Sequence, residues 1–207
     1  AFIVADSGGR LHLVGAKASG LKAIALTTID RTRSVGELRF DGAEAEPLAD
    51  DGGAAVGRLR AAGRVILAAD SLGAGQAMIE KAVDYAGQRE QFGRLIGSFQ
   101  AVKHMCAEMV AELEPTRSMF WFAAHAFDEL PDQSALIVSQ AKAHASEMGV
   151  FIARTATEVH GGVGFTDEQN LHVWFKRIGV DRHYLGSPEV LRANAGRLQG
   201  WPACAAL

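Results

Sequence analysis

The stretch Val138–Gly162, VSQAKAHASEMGVFIARTATEVHGG, decides how the rest of the chain is read. Its apolar and small residues fall at Val138, Ala141, Ala145, Met148, Ile152, Thr155 and Val159, alternating by three and four. That spacing places them on one face of an α-helix, and the pair Gly161-Gly162 ends the pattern as a glycine C-terminus does. A cleaner copy of the pattern lies upstream: Phe99, Val102, Cys106, Met109 and Leu113, continued by Phe120, Phe127 and Leu130, with Pro115 expected to kink the helix. Further upstream, Leu59, Ala62, Ile66 and Ala69, then Ile79, Val83 and Ala86, predict one long helix from Ala54 that ends before Phe92-Gly93. Shorter helices are expected at 167–178 and 188–199. Helices of about 30 residues span roughly 45 Å, and short connections between them predict an antiparallel bundle.

The first 48 residues have a different texture. Phe2 to Ala5, Leu11 to Val14, Leu21 to Thr27 and Ser34 to Phe40 read as short strands, the first two joined as a hairpin across Ser7-Gly8-Gly9. Four such strands leave unpaired edges, so they are expected to need further strands or another domain. Asp50-Asp51-Gly52-Gly53 reads as a linker. The expected fold class is therefore mainly α, an antiparallel helical bundle over 53–207, preceded over 1–52 by a few β-strands of an incomplete β domain.

Composition narrows the function classes. The chain has 207 residues with a formal net charge of −3, no basic excess for a polyanion, which argues against nucleic-acid binding. Thirty-six alanines lean it toward helix. Apolar runs are too short for a membrane span, and neither a transmembrane helix nor a signal peptide is expected. Two widely spaced cysteines, Cys106 and Cys204, make neither a disulfide framework nor a zinc cluster and fit a reducing, cytoplasmic setting. A carboxylate-bridged metal bundle needs Glu-x-x-His pairs on facing helices, and none occurs; His104 and Glu108 stand in the wrong order. No metal is expected. The opening at Ala1, directly on an apolar strand, reads as the edge of a fragment.

Four motifs carry a resemblance: Asp70-Ser71-Leu72-Gly73-Ala74-Gly75-Gln76; Tyr85-Ala86-Gly87-Gln88-Arg89-Glu90-Gln91-Phe92-Gly93; Phe99-Gln100-Ala101-Val102; and Val159-His160-Gly161-Gly162-Val163-Gly164-Phe165. In order and spacing they resemble the carboxy-terminal helical domain of FAD-dependent acyl-CoA dehydrogenases, and residues 1–48 look like the last strands of that family's middle β domain. The resemblance implies that Arg89, with Gln91 and Phe92, contacts the FAD pyrophosphate and flavin of a neighbouring subunit, where a guanidinium fork suits paired phosphate oxygens. Read alone, Arg89 is a cation at a helix C-terminus, where the dipole favours it. The resemblance also places the pair Phe99-Gln100 beside the adenosine half of FAD, the segment Glu158, Val159, His160, Gly161 and Gly162 against the adenine, and Ser187 and Glu189 near FAD from the same chain. Glu158 stands where many members carry Gln, and an acid near a pyrophosphate is unfavourable.

The segment Arg182-His183-Tyr184-Leu185-Gly186-Ser187-Pro188-Glu189-Val190 corresponds to the family pattern Tyr-Glu-Gly-Thr-Ser-Glu-Ile. That pattern's first Glu removes the α proton of the acyl-CoA; here the position is Leu185, and an alkyl group accepts no proton. Some members carry the base just before the arginine matching Arg64, where this chain has Gly63. With both positions empty, the catalytic residue is unassigned. Asp181, His183 and Glu189 read better as helix-end or solvated polar groups than as substitutes. Three readings stay open: the non-catalytic subunit of a heteromeric acyl-CoA dehydrogenase, a base in an absent amino-terminal part, or a fold recruited for non-enzymatic binding or scaffolding. Actinobacterial enzymes for CoA esters with steroid-like side chains are heteromers of the first kind, and the arginine- and alanine-rich composition is compatible with a GC-rich genome. The resemblance implies an acyl-CoA substrate, a homo- or hetero-oligomer such as a dimer of dimers, and an electron acceptor such as a flavoprotein.

Overall fold

The computed structural model describes residues 1–201. They divide into two compact units, Ala1–Ala62 and Gly63 onward.

In the first unit, β1 (Phe2–Ala5), β2 (Leu11–Val14) and β5 (Ala45–Ala49) form an antiparallel sheet in the order β1-β2-β5, while β3 (Leu21–Leu26) and β4 (Val35–Phe40) pair as a separate ribbon. The strand β5 was not expected from the sequence, because Pro47 interrupts its pattern. It survives because it is an edge: Pro47 lies opposite His12 beside a register shift, where a missing N–H is tolerated. The turn between β1 and β2 is held by Asp6, whose carboxylate accepts from the backbone N–H groups of Gly8 and Arg10. α1 (Ala54–Ala86) begins here.

The second unit is the helical bundle. After α1 come a small hairpin of β6 (Glu90–Gln91) and β7 (Arg94–Leu95), then α2 (Gln100–Glu129), α3 (Pro131–His160), α4 (Leu171–His183) and α5 (Pro188–Leu198). α2 and α3 pack along one another with only Leu130 between them, so they run antiparallel. α2 is continuous through Pro115. α3 is the central helix, packed by α2, α4 and α5. All seven of its predicted face residues are buried, and so are small residues on its other sides, including Ser146, Ala153 and Ala156.

Two expectations are corrected. On α1, Leu59, Ile66 and Val83 are exposed, Ile66 at 67%, and the buried residues of the bundle portion include Leu72, Ala74, Met78, Ile79, Ala82 and Ala86. The buried face mixes large residues with small ones, and Gly75 marks where α1 lies closest to α3: a Cβ there would stand 3.2 Å from Ile152 Cδ1 and 3.3 Å from Met148 Sδ. This gives the Asp70–Gln76 motif a structural meaning, reinforced by Asp70, whose carboxylate takes two hydrogen bonds of 2.8 Å from Arg177 of α4. The helix expected at 167–178 begins instead at Leu171, because Asn170 adopts a left-handed conformation, φ 56°, that a helix interior does not accept. No helix among the described residues is long and apolar enough to cross a membrane, and no group of three or more His, Cys, Asp or Glu among them is placed to hold a metal. Cys204 lies outside the described residues.

Candidate functional site

Six of the residues singled out by sequence, Arg89, Gln91, Glu158, His160, Gly161 and Gly162, line one cleft of about 390 Å³ together with Tyr85. One wall is the end of α1 and the hairpin after it; the other is the last turn of α3 and the 3-10 turn Gly161–Phe165. Gly161 ends α3 at φ 63°, and a Cβ on either Gly161 or Gly162 would meet nothing within 4 Å, so the backbone there is bare toward open space. Gly164 folds the turn back so tightly that a Cβ would stand 2.7 Å from Thr157 O.

His160 is 4% exposed. Its Nδ1 lies 2.8 Å from Ala156 O, and since a carbonyl only accepts, Nδ1 carries the proton. The ring stacks on Tyr85 with centroids 4.5 Å apart and planes 20° from parallel. Nε2 is buried with no hydrogen-bond partner among the described residues. Burial pulls its pKa below the ordinary imidazole range; the bond to Ala156 opposes this and the charge of Lys81 adds to it. The site therefore presents a neutral imidazole.

Arg89 differs from its expected setting. α1 stops at Ala86, so Arg89 lies beyond the last turn, where the dipole is weak, and its backbone is fixed by N–H to Tyr85 O at 2.9 Å and O to Ile96 N at 2.8 Å. Its side chain is exposed at the cleft. Gln91 and Arg94 pair across a two-residue turn whose central residues, Phe92 and Gly93, have φ of 53° and 72°. Positive φ at both positions is the geometry that favours Asn-Gly, and a phenylalanine there is strained. Phe92 is nevertheless 91% exposed, touching Phe99 edge-on at 6.1 Å, while Arg94 lies over the other aromatic ring of the pair, 3.9 Å from its centroid. Phe92→Asn is expected to raise the unfolding free energy by about 1 kcal/mol, since it relieves strain and removes no buried contact. Denaturant unfolding measures it, and a loss of stability would show that the ring is packed in solution. Phe92 and Gln100 do not line the cleft; the Gln100 amide lies 2.9 Å from His104 Nε2 at the start of α2.

Ser187 and Glu189 sit elsewhere, at the start of α5. The Glu189 carboxyl is held down to about 2, chiefly by the Ser187 hydroxyl, then by its own backbone N–H and Arg182. Before them, Leu185 has φ 56° and Gly186 φ 114°. Arg64 Nε donates to Leu185 O at 2.9 Å, across 121 residues of sequence. A Cβ on Gly63 would stand 2.4 Å from Leu185 Cδ1. The two positions singled out for their missing carboxylates are thus neighbours, and the Leu185 side chain covers Gly63.

Sequence reading missed Lys142. It is fully buried on α3, and its ammonium donates to Ser146 Oγ at 2.7 Å and to Asp181 O at 2.8 Å. Burial pulls its pKa down to about 8; the Asp181 carboxylate opposes that, and Arg64 and Arg182 add to it. The signal was present: Lys142 stands four after Val138 and three before Ala145, inside the apolar face.

Residues 50–199 match the protein family described as acyl-CoA dehydrogenase, C-terminal domain. The acyl-CoA dehydrogenase IpdE2 of Mycobacterium tuberculosis is 35% identical over 92% of this chain and 55% of its own. Among solved structures, the ChsE4-ChsE5 complex from Mycobacterium tuberculosis superposes with a TM-score of 0.83 at 29% identity, covering 98% of this chain and 55% of that one. The steroid ACAD Tcur3481-Tcur3483, in a variant form, gives 0.83 at 30% identity, covering 96% and 54%. The chain spans about half the length of the relatives it matches. On this match the chain belongs to the acyl-CoA dehydrogenase family, and residues 50–199 are its C-terminal domain.

Proposed function

We propose that this chain works in the α,β-dehydrogenation of an acyl-CoA thioester as a subunit that helps to hold FAD and brings no catalytic base of its own. The observation that carries the reading is Leu185 lying on Gly63: the two places where the family carries its carboxylate adjoin, and an alkyl group fills the space between them. Residues 1–52 fit as the end of a middle β domain. Similarity to two-protein assemblies such as the ChsE4-ChsE5 complex supports a hetero-oligomer, and the partner would then furnish the base. An electron-transfer flavoprotein is the acceptor that fits the family.

The cleft residues fit FAD. Arg89 offers an exposed cation on a fixed backbone for phosphate oxygens, Gly161 and Gly162 offer bare backbone, and His160 has a buried ring nitrogen with no partner among the described residues. Glu158 is the one acidic residue on the cleft lining, and its charge works against a phosphate there. Gln91 lines the cleft and Phe92 and Gln100 stand outside its lining, while Ser187 and Glu189, engaged with Arg182 at the start of α5, lie apart from it and would approach FAD separately from the same chain. FAD, when bound, supplies the hydride acceptor. The protein's own part is to bind and orient that group and, through the Arg64 bond to Leu185 O, to hold the 185–187 turn.

Arg89→Ala is expected to weaken FAD binding by about 10- to 100-fold, the effect of losing a charge-assisted contact, as read by titrating the assembled apoprotein with FAD. Unchanged affinity would sink the assignment of the cleft. Anaerobic addition of acyl-CoA is expected to bleach the flavin of the assembly with its base-bearing partner and not that of this chain alone. Bleaching by this chain alone would overturn the non-catalytic reading.

A further inference from the structure

Between α4 and α5 the chain reverses over residues 184–187. The capping bond of α4 runs from Tyr184 N–H to Val180 O at 3.2 Å. Were the helix to continue, Leu185 N–H would serve the next carbonyl, Asp181 O; instead Leu185 turns left-handed at φ 56° and Gly186 follows at φ 114°. Lys142 of α3 supplies a donor at that carbonyl. Its Nζ lies 2.8 Å from Asp181 O, 39 residues away in sequence. An ammonium suits the end of a helix, where the dipole is negative and the last carbonyls have no further turn to meet.

A second donor holds the same turn from α1. Arg64 Nε reaches Leu185 O at 2.9 Å, and its Nη1 lies 3.4 Å from Ser139 Oγ, which stands about one turn before Lys142 on α3. The two ties differ in burial: Lys142, Asp181 and Ser146 are sealed, whereas the Arg64 bond to Leu185 O is exposed. Water replaces a donor lost at an exposed carbonyl but not one lost at a sealed carbonyl, so the buried tie has the larger hold on the turn. The turn in turn sets α5. A Cβ on Gly186 would stand 3.0 Å from Leu191 Cδ2, and Leu191 N–H bonds Ser187 O at 2.9 Å, so a shift at Asp181 O passes on to the first turn of α5.

We infer that Lys142 is a positioning residue: by holding Asp181 O from within the bundle it fixes the left-handed step at Leu185 and Gly186, and with it the direction in which Ser187 and Glu189 enter α5. The inference rests on the proposed function only in taking Ser187 and Glu189 as groups that approach FAD from this chain. Lys142 is fully buried and acts through the backbone. Position and stability are separable because the tie ends on a backbone carbonyl. Asp181→Leu removes the attracting carboxylate and leaves the carbonyl at 181, to which the amine still donates. Adding Lys142→Met removes that donor but leaves no lone buried charge, so the double variant is expected to be at least as stable as Asp181→Leu.

The test is hydrogen exchange by mass spectrometry on the full chain, reading a peptide over 183–191 against peptides of α2. The turn is expected to exchange about tenfold faster in the double variant than in Asp181→Leu, the effect of losing one buried hydrogen bond, with α2 unchanged or slower. Urea unfolding gives the order of stability, and circular dichroism checks that each variant folds. Equal exchange at 183–191 overturns the inference, because a lysine that only stabilises moves exchange in step with stability. Among single variants, Lys142→Gln keeps an N–H donor and Lys142→Met does not, so the turn is expected to exchange more slowly in the first; the reverse order also overturns the inference. Titration of the assembled apoproteins with FAD is the second readout. The double variant is expected to bind about threefold to tenfold more weakly than Asp181→Leu. Equal affinity beside a quickened turn overturns the positioning role. If the wild type binds no FAD, the functional reading falls, and the exchange comparison by itself decides whether Lys142 sets the turn.

Discussion

Lys142→Met is expected to lower the unfolding free energy by about 3–5 kcal/mol, as the loss of one partner of a buried charge pair generally does. The ammonium sits in the middle of the central helix, fully buried, with donors to Ser146 Oγ and Asp181 O and the buried Asp181 carboxylate as its attracting charge. Methionine fills similar volume, so the loss comes from charge and hydrogen bonding rather than from a cavity. The double variant Lys142→Met with Asp181→Leu is expected to recover part of it, because no lone buried charge is left. A pH signature separates this from a packing effect. The folded pKa is about 8 and the unfolded one is higher, so over that interval the unfolded chain holds a proton that the folded chain has released. Lys142 therefore makes stability rise with pH from about 8 toward the unfolded lysine value of about 10.4. Urea unfolding across this range should show that rise in the wild type and lack it in Lys142→Met. Equal pH slopes would show that the ammonium is not buried in solution.

Leu185→Glu is expected to raise the rate of flavin reduction at this subunit's own site by about 10²- to 10⁴-fold in the assembled protein, the range of a positioned general base. The backbone is already arranged for it. Leu185 holds a left-handed φ that an alkyl side chain has no local reason to adopt, and Arg64 pins its carbonyl from α1. Replacing the leucine also uncovers Gly63. At the other position, a Cβ on Gly63 would stand 2.4 Å from Leu185 Cδ1, so Gly63→Glu requires that exposed side chain to turn aside. Anaerobic stopped-flow mixing with acyl-CoA measures the rate. No gain at unchanged flavin content would show that the acyl pocket, and not only its base, is lost in this subunit.

Much of the bundle was legible because α3 writes its buried face in period 3.6, and each of Val138, Ala141, Ala145, Met148, Ile152, Thr155 and Val159 is buried. On α1 the helix was legible and Ile79 and Ala86 of its stripe are buried, but Leu59, Ile66 and Val83 are exposed: periodicity weights large apolar residues, whereas the closest approach to α3 is made at Gly75. β5 was hidden by Pro47, whose missing N–H is harmless only at an edge that sequence alone does not reveal. For the site, the resemblance named six residues that one cleft gathers, whereas Ser187 and Glu189 are engaged with each other and Arg182 at a different helix start.

By itself, the sequence determined the helices, the turn at Gly161, and the want of a carboxylate at positions 63 and 185, because these are properties of residue type and of local period. Only the tertiary structure decided that those two positions touch, that Lys142 is sealed in the core, and that His160 lines one cleft with Arg89. Each depends on contacts between segments tens of residues apart, 121 in the case of Arg64 and Leu185, and spacing within a segment carries no record of what packs against it.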